Sequence, residues 1–490
     1  SKILWKPKIS KSHVSKFINN INRKNNLQIG TYEDLYEWSI SNPNQFWEET
    51  WKYSNIISSS DYHEIVDDIT KMPGAKWFSG AKLNFAENLL RFRDDRPAIH
   101  YKTENSNVKT LTYKSLYSSV ESLSFSLRSI GVKKGDRVAG YISNIPEAII
   151  AMLATSSIGA IWSSASPDFG VNGVLDRFSQ IQPKVLFATS GYSYNGTYYN
   201  SLKNIHEMTQ KIKSLVQVVI INQKEENEKK IKIRNSILYE NFISKDPEML
   251  IFEQLPFNYP LFILYSSGTT GLPKSIVHSA GGTLIQHLKE HLFHCDLDRN
   301  DNIFYFTTSG WMMWNWLVSS LAIGSAITLY DGSPFYPKKT TLWEMVDDLK
   351  ISIFGTSAKF IESCMNSKLK LQNISTLKSL RTILSTGSPL IEECFDYVYK
   401  NVKKDILLGS ISGGTDIISC FALSSPILPV IRGELQCRGL GMDVKAYDQN
   451  QNNLIGGKGE LVCCMAFPSM PIYFWNDPDG TKYKKAYFET

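Results

Sequence analysis

Residues 137–166 read RVAGYISNIPEAIIAMLATSSIGAIWSSAS, a short β-branched run, a longer apolar run and a second β-rich run. RVAGYIS predicts a strand. IPEAIIAMLATSSIG predicts a helix, with Asn144 near its cap and Pro146 in its first turn, where a missing N–H costs nothing. AIWSSAS then predicts another strand. Working outward, the pattern repeats: VNGVLDRFSQI (171–181) is helical, KVLFATS (184–190) a strand, SLKNIHEMTQKIK (201–213) helical and VQVVIIN (216–222) a strand. It resumes through YPLFILY (259–265), SAITLYD (325–331), a helix near 341–350, SIFGTS (352–357) and TILSTGSPL (382–390). Strands alternating with helices imply an α/β protein with mostly parallel sheets covered on both faces.

The flanks differ. Residues 32–56 carry Trp38, Phe46, Trp47 and Trp51 at helical spacing, which predicts a helical extension packed on a larger body. The first 32 residues hold seven Lys/Arg and no acid; with Trp5, Pro7 and many asparagines they read as a solvated segment rather than an Arg- and Ser-rich transit peptide. QKEENEKKIKIR (223–234) reads as a solvated loop. From Gly433 onward shorter strands with glycine turns predict a small β-rich piece.

Composition narrows the class. The chain of 490 residues is 42% apolar and 20% charged, enough for a sizeable core. A net charge of +6, scattered along the sequence, gives no footprint for nucleic acid. Seven cysteines without CxxC spacing predict reduced thiols and a cytosolic protein. Two long uncharged stretches, 148–167 and 303–330, are broken by hydroxyls and glycine, so no membrane span is expected.

The chemistry centres on LYSSGTTGLPKSIVHSAGG (264–282). Ser266, Ser267, Gly268, Thr269, Thr270 and Gly271 make poor helix or strand interior, but supply closely spaced N–H groups and hydroxyls for phosphate oxygens. Lys274 adds a mobile positive charge. A P-loop would need Gly at position 273, where this chain has Pro, and no GxGxxG fingerprint is present. A surface linker would not need the apolar strand directly before it.

This stretch resembles the phosphate-binding signature of the adenylate-forming superfamily. The resemblance continues in order through Ser385-Thr386-Gly387-Ser388-Pro389, Gly414-Thr415-Asp416 and Gly459-Glu460-Leu461-Val462. The amino-terminal YEDLYEWS…FWEETWKYS and KWFSGAKLNFAENLL are similar to the extension of acetyl- and acetoacetyl-CoA synthetases, and the acetoacetyl branch fits best. The resemblance implies the large amino-terminal domain of that fold: two mostly parallel sheets flanked by helices plus a small β-rich subdomain. It divides the chain into a helical extension (1–75), an AMP-binding α/β core (76–432) and a β-rich part (433–490).

It also implies a two-step reaction of a carboxylic acid, ATP and CoA, with Mg²⁺ as cofactor. Residues 266–271 and Lys274 would hold the β- and γ-phosphates, and Gly387, Ser388, Pro389, Ser410, Ile411 and Ser412 the adenosine part. Thr415 would bond the α-phosphate and Asp416 bind the metal; the family usually has Glu there, so a bridging water would restore the reach. The acyl pocket would take Trp311, Met312, Met313 and Thr386, with Gly413 standing where acetyl-CoA synthetases place a Trp that closes the pocket. That opening favours acetoacetate, with Thr386 or a backbone N–H meeting its second carbonyl; acetate, propionate or butyrate remain alternatives, as does a non-catalytic nucleotide-binding protein. Ser357 and Tyr194 are the positions nearest CoA by this resemblance, although the Arg-rich segment of acetyl-CoA synthetases is replaced by GYSYNG (191–196). His278 and His294 fit no metal spacing and are expected to be neutral and hydrogen-bonded. The sequence stops at YFET, before the family's ribose-binding Asp, hinge and lysine-bearing domain, so it is expected to be an amino-terminal portion with weak activity alone.

Overall fold

The computed structural model describes residues 2–8, 11–222, 231–267, 271–373 and 376–489. Two large sheets carry the architecture. The first has eight strands in the spatial order 236–238, 217–221, 185–189, 137–141, 161–165, 260–266, 274–279 and 473–474. Its first six strands run parallel, and 274–279 runs antiparallel to both of its neighbours, 260–266 and 473–474. The second has seven, ordered 407–410, 382–386, 353–357, 302–305, 326–331, 97–103 and 109–112, parallel except for the last. The central strands of the first sheet are buried along their length, as expected where helices cover both faces.

The uncharged stretch 148–167 is explained by this layering. Helix Pro146–Ser157 is buried on every face except at Glu147 and packs against helices Tyr113–Ser129 and Phe85–Leu89. No helix among the described residues is long and apolar enough to cross a membrane. Asn144 does not cap this helix; Ile145 occupies the cap, with Pro146 in the first turn. The Asn144 side chain instead ties the two sheets together. Its Nδ2 donates to the Thr307 carbonyl at 3.2 Å, and its Oδ1 accepts from Trp314 Nε1 at 3.1 Å.

The amino terminus differs from the solvated segment expected. Helix His13–Asn25, capped by Ser12, buries Val14, Phe17, Ile18 and Ile21. That i, i+3, i+4, i+7 stripe was hidden beneath a lysine-rich composition, and Phe17 meets Phe293 at 4.4 Å between ring centroids. Helices Tyr32–Ser41 and Pro43–Tyr53 follow, separated where Pro43 starts a new first turn; Phe46 and Trp47 are fully buried. At the other end, strands Val444–Tyr447 and Glu460–Cys463 form an antiparallel pair, while Tyr473–Phe474 returns to the edge of the first sheet and leads into helix Thr481–Tyr487.

Candidate active site

The two ends of the serine- and glycine-rich stretch lie on paired strands. Strand Pro260–Ser266 pairs antiparallel with Lys274–Ser279, and Ser266 faces Lys274 across the last rung. A P-loop leads into a helix, so the strand that follows here accounts for the failed motif. Ser266 and Ser267 stand at the mouth of the turn; Gly271 has φ +116°, which its lack of a Cβ permits. Gly268, Thr269 and Thr270 lie outside the described residues.

Lys274 Nζ sits 2.9 Å from Asp416 Oδ1. The same oxygen accepts a 2.5 Å hydrogen bond from the hydroxyl of Tyr487, and the Lys274 ammonium lies 5.2 Å from the centre of that ring. Burial alone would raise the Asp416 carboxyl, but the Tyr487 hydroxyl and the Lys274 ammonium outweigh it and hold the group below the ordinary carboxylate range. Burial and the adjacent carboxylate push the Tyr487 hydroxyl far up, so it remains a donor. Among the described residues no group of three or more His, Cys, Asp or Glu could hold a metal. A single carboxylate suits Mg²⁺, which commonly takes one or two protein carboxylates and completes its shell with phosphate oxygens and water.

The adenosine candidates gather at the carboxyl ends of neighbouring strands, where open α/β sheets bind ligands. Ser385 pairs with Ser410, and Thr386 with Ser357. Gly387, Ser388 and Pro389 are exposed just beyond their strand, and Gly387 has φ +92°. Ile411 and Ser412 continue from Ser410 into the turn that presents Thr415 and Asp416. The Thr386 hydroxyl donates to the Ile411 carbonyl at 3.0 Å. Ser357 Oγ caps helix Ala358–Asn366 by accepting from the Phe360 N–H at 3.1 Å.

Trp311 precedes helix Met312–Ser319 and is 63% exposed, an unusual position for so large a ring, whereas Met312 and Met313 are buried. Gly413 departs from the expectation. A Cβ there would lie 2.1 Å from the Ser419 carbonyl oxygen, because Ser412–Gly414 pairs closely with Ser419–Leu423. Its missing side chain therefore makes room for the neighbouring strand. The adjacent Gly414 is the one whose Cβ would meet open space. Tyr194 stands 47% exposed on the hairpin Gly191–Tyr194/Thr197–Asn200. That hairpin borders a cleft of about 860 Å³ whose charged lining is Lys109, Glu147 and Asp331, the last with its carboxyl pushed up to about 6 by burial.

His278 is buried next to Thr415, and burial pushes its imidazole down to about 3. It is neutral as expected, and its ring lies against the Thr415 backbone, a hydrogen-bonding contact that opposes the effect of burial but falls outside strict donor–acceptor geometry. His294 is neutral and bonded, with Nδ1 2.9 Å from the Ser424 carbonyl. Tyr487 was missed by sequence reasoning. Nothing local marks it, and only the docking of the Thr481–Tyr487 helix brings it to Asp416.

A hairpin turn closed by a lysine–carboxylate contact, beside glycine- and serine-rich strand ends, defines an enzyme of the adenylate-forming class. The chain belongs to the AMP-binding enzyme family, whose profile matches residues 85–463; a profile for the acetyl-coenzyme A synthetase N-terminus matches residues 32–89. Among curated relatives, an acetoacetyl-CoA synthetase from Gallus gallus is 48% identical, covering 100% of this chain and 75% of its own. One from Rhizobium meliloti (strain 1021) is 44% identical, covering 99% of this chain and 75% of its own. A solved acetoacetyl-CoA synthetase from Streptomyces lividans superposes with a TM-score of 0.94 at 39% identity, over 100% of this chain and 76% of that one. The chain thus spans about three quarters of the length of these proteins.

Proposed function

We propose that this chain activates acetoacetate with ATP and passes it to CoA, forming acetoacetyl-CoA, AMP and pyrophosphate. The observation that carries adenylation is the contact between Lys274 and Asp416 at the mouth of the hairpin turn. The choice of acid is supported by whole-chain similarity to acetoacetyl-CoA synthetases from a bird and a bacterium.

In the first step a carboxylate oxygen of the acid attacks the α-phosphorus, and the bond to the β-phosphate oxygen breaks. In the second the CoA sulfur attacks the acyl carbon, loses its proton, and AMP departs. A carboxylate is a weak nucleophile, so alignment and charge stabilisation carry the first step. Lys274 leaves Asp416 to take the β- and γ-phosphate charge, together with the hydroxyls and N–H groups of the hairpin turn. Thr415 bonds the α-phosphate, and Asp416 is the residue that would hold Mg²⁺. Mg²⁺ held there would supply positive charge to the phosphate oxygens. Strand ends 386–389 and 410–412 seat the adenosine, while Trp311, Met312, Met313 and the open face at Gly414 enclose the acyl group. Ser357 and Tyr194 remain our candidates beside CoA. Seven free cysteines fit the reducing cytosol we assign to the protein.

The test is acid-dependent exchange of labelled pyrophosphate into ATP, with acetate, butyrate and acetoacetate compared. Fastest exchange with acetoacetate supports the reading. Fastest exchange with another acid replaces the substrate, and formation of ADP in place of AMP refutes the mechanism.

A further inference from the structure

The helix Ala280–Lys289 and the π-helical turn Glu290–His294 cross the interior with no face in water. Yet they carry an unusual load of polar groups, with His287, Lys289, Glu290 and His291 all 0% exposed. Charged pairs buried so deeply add little stability compared with apolar residues of the same volume, so their geometry asks for another explanation.

That geometry is a clamp between two elements of the proposed site. Glu290 Oε1 accepts from Trp316 Nε1 at 3.2 Å, and Oε2 accepts from Ser419 Oγ at 2.5 Å. Trp316 lies on helix Met312–Ser319, one turn beyond Met313; Ser419 begins the strand three residues after Asp416. Lys289 Nζ stands 3.5 Å from Glu290 Oε2 and donates to the Leu440 carbonyl at 3.2 Å. His287, on the same helix face, repeats the bridge. Its Nε2 donates to the Ile418 carbonyl at 2.6 Å, while Nδ1 accepts from Ser319 Oγ at 2.7 Å. His291 Nε2 donates to the Trp316 carbonyl at 2.7 Å. Directional bonds thus run from one rigid helix to both the acyl wall and the Thr415–Asp416 turn. Apolar packing would hold the same elements together but let them slide.

We propose that Glu290 is a positioning residue for adenylation, its carboxylate fixing the acyl-wall helix against the nucleotide turn so that bound acid and α-phosphorus meet in line. The inference rests on the acetoacetate-activating reading above. Displacement by about 1 Å of one reactant costs on the order of 100-fold in rate, so a clamp with two directional bonds has a measurable consequence.

The experiment cuts the clamp one bond at a time in the full chain. Trp316→Phe removes the indole N–H and keeps a ring; Ser419→Ala removes the hydroxyl; Glu290→Gln replaces an acceptor oxygen with a donor. Acetoacetate-dependent pyrophosphate exchange and the unfolding midpoint are measured for each. Expected are falls in kcat of roughly 10- to 100-fold, KM for ATP and acid changed less than about threefold, and a Trp316→Phe/Ser419→Ala double variant no slower than Glu290→Gln. A merely structural role predicts lower midpoints with unchanged kcat per folded molecule. That result, or losses in the single variants that multiply in the double, would overturn the clamp. If Glu290→Gln does not fold, the two smaller cuts and their double decide by the same criteria. Failure of the wild-type protein expressed from the uninterrupted natural gene, in which the variants are also made, to exchange with any acid refutes the functional reading and the clamp with it. Exchange in the wild type that persists in folded variants refutes the clamp alone.

Discussion

Gly413→Ala and Gly414→Ala move the same methyl group by one position and lead to opposite outcomes. At Gly413 the new carbon would sit 2.1 Å from the Ser419 carbonyl oxygen, 2.6 Å from Cys420 Cα and 2.8 Å from Cys420 Sγ. Ordinary carbon contacts begin near 3.5 Å, so the paired strand must retreat by about 1 Å or more. Two of these three neighbours are backbone, which cannot rotate aside. The cost belongs at the upper end of the overpacking range, about 3 kcal/mol. Strand Ser419–Leu423 moves with it, taking the Glu290 partner Ser419 and the turn at Thr415–Asp416. At Gly414 no heavy atom lies within 4 Å of the new carbon, and φ is outside the left-handed region. There the restricted unfolded chain adds about 0.4–1 kcal/mol of stability. Urea unfolding monitored by tryptophan fluorescence reads both. Pyrophosphate exchange should fall steeply in Gly413→Ala, whereas Gly414→Ala should alter the preference among acids. Equal midpoints for the two variants, or a larger loss at Gly414, would refute the steric reasoning.

Tyr487→Phe removes the donor to Asp416 Oδ1 and leaves the ring beside Lys274. A charge-assisted bond of this kind, discounted for the partial exposure of Asp416, contributes about 1–2 kcal/mol. The Asp416 carboxyl should titrate higher than before, so Mg–ATP affinity measured by calorimetry should decay at a higher pH than in the wild type; coincident profiles would count against the contact. His287 gives a second pH signature. Burial pushes its imidazole down to about 4 from 6.5, so below pH 6.5 the unfolded chain binds a proton that the folded chain refuses. Stability is therefore lost as pH falls from 6.5 toward 4, by about 1.4 kcal/mol per pH unit for this one group. His287→Gln should flatten the slope of unfolding free energy against pH by about one proton between pH 6 and 5, and an unchanged slope would show that the folded ring accepts its proton.

Much of the fold was legible because it is written locally. RVAGY, IWSSA and VLFAT are short apolar runs that only a strand covered on both faces accommodates, and the helix between the first two carries proline where a first turn tolerates it. The helix at 13–25 was missed because its stripe of four apolar residues is diluted by lysines and asparagines. Composition averaged over a segment conceals periodicity within it. The break between strands Pro260–Ser266 and Lys274–Ser279 was legible for the same reason as the strands: glycines and hydroxyls that make poor strand interior crowd between two apolar runs.

What the chain alone determined, then, is the alternation of elements, the place of the glycine- and hydroxyl-rich break and the residue types offered at each strand end. The tertiary structure decided which of those residues meet. Asp416 finds Lys274 from 142 positions away and Tyr487 from 71, and no local preference encodes either distance. It also decided that Gly413 makes room for a strand while Gly414 opens on free space. Successive positions on a strand point to opposite faces, so exchanging their roles takes a shift of one residue in register. That register is set by strands and helices brought together across the whole fold.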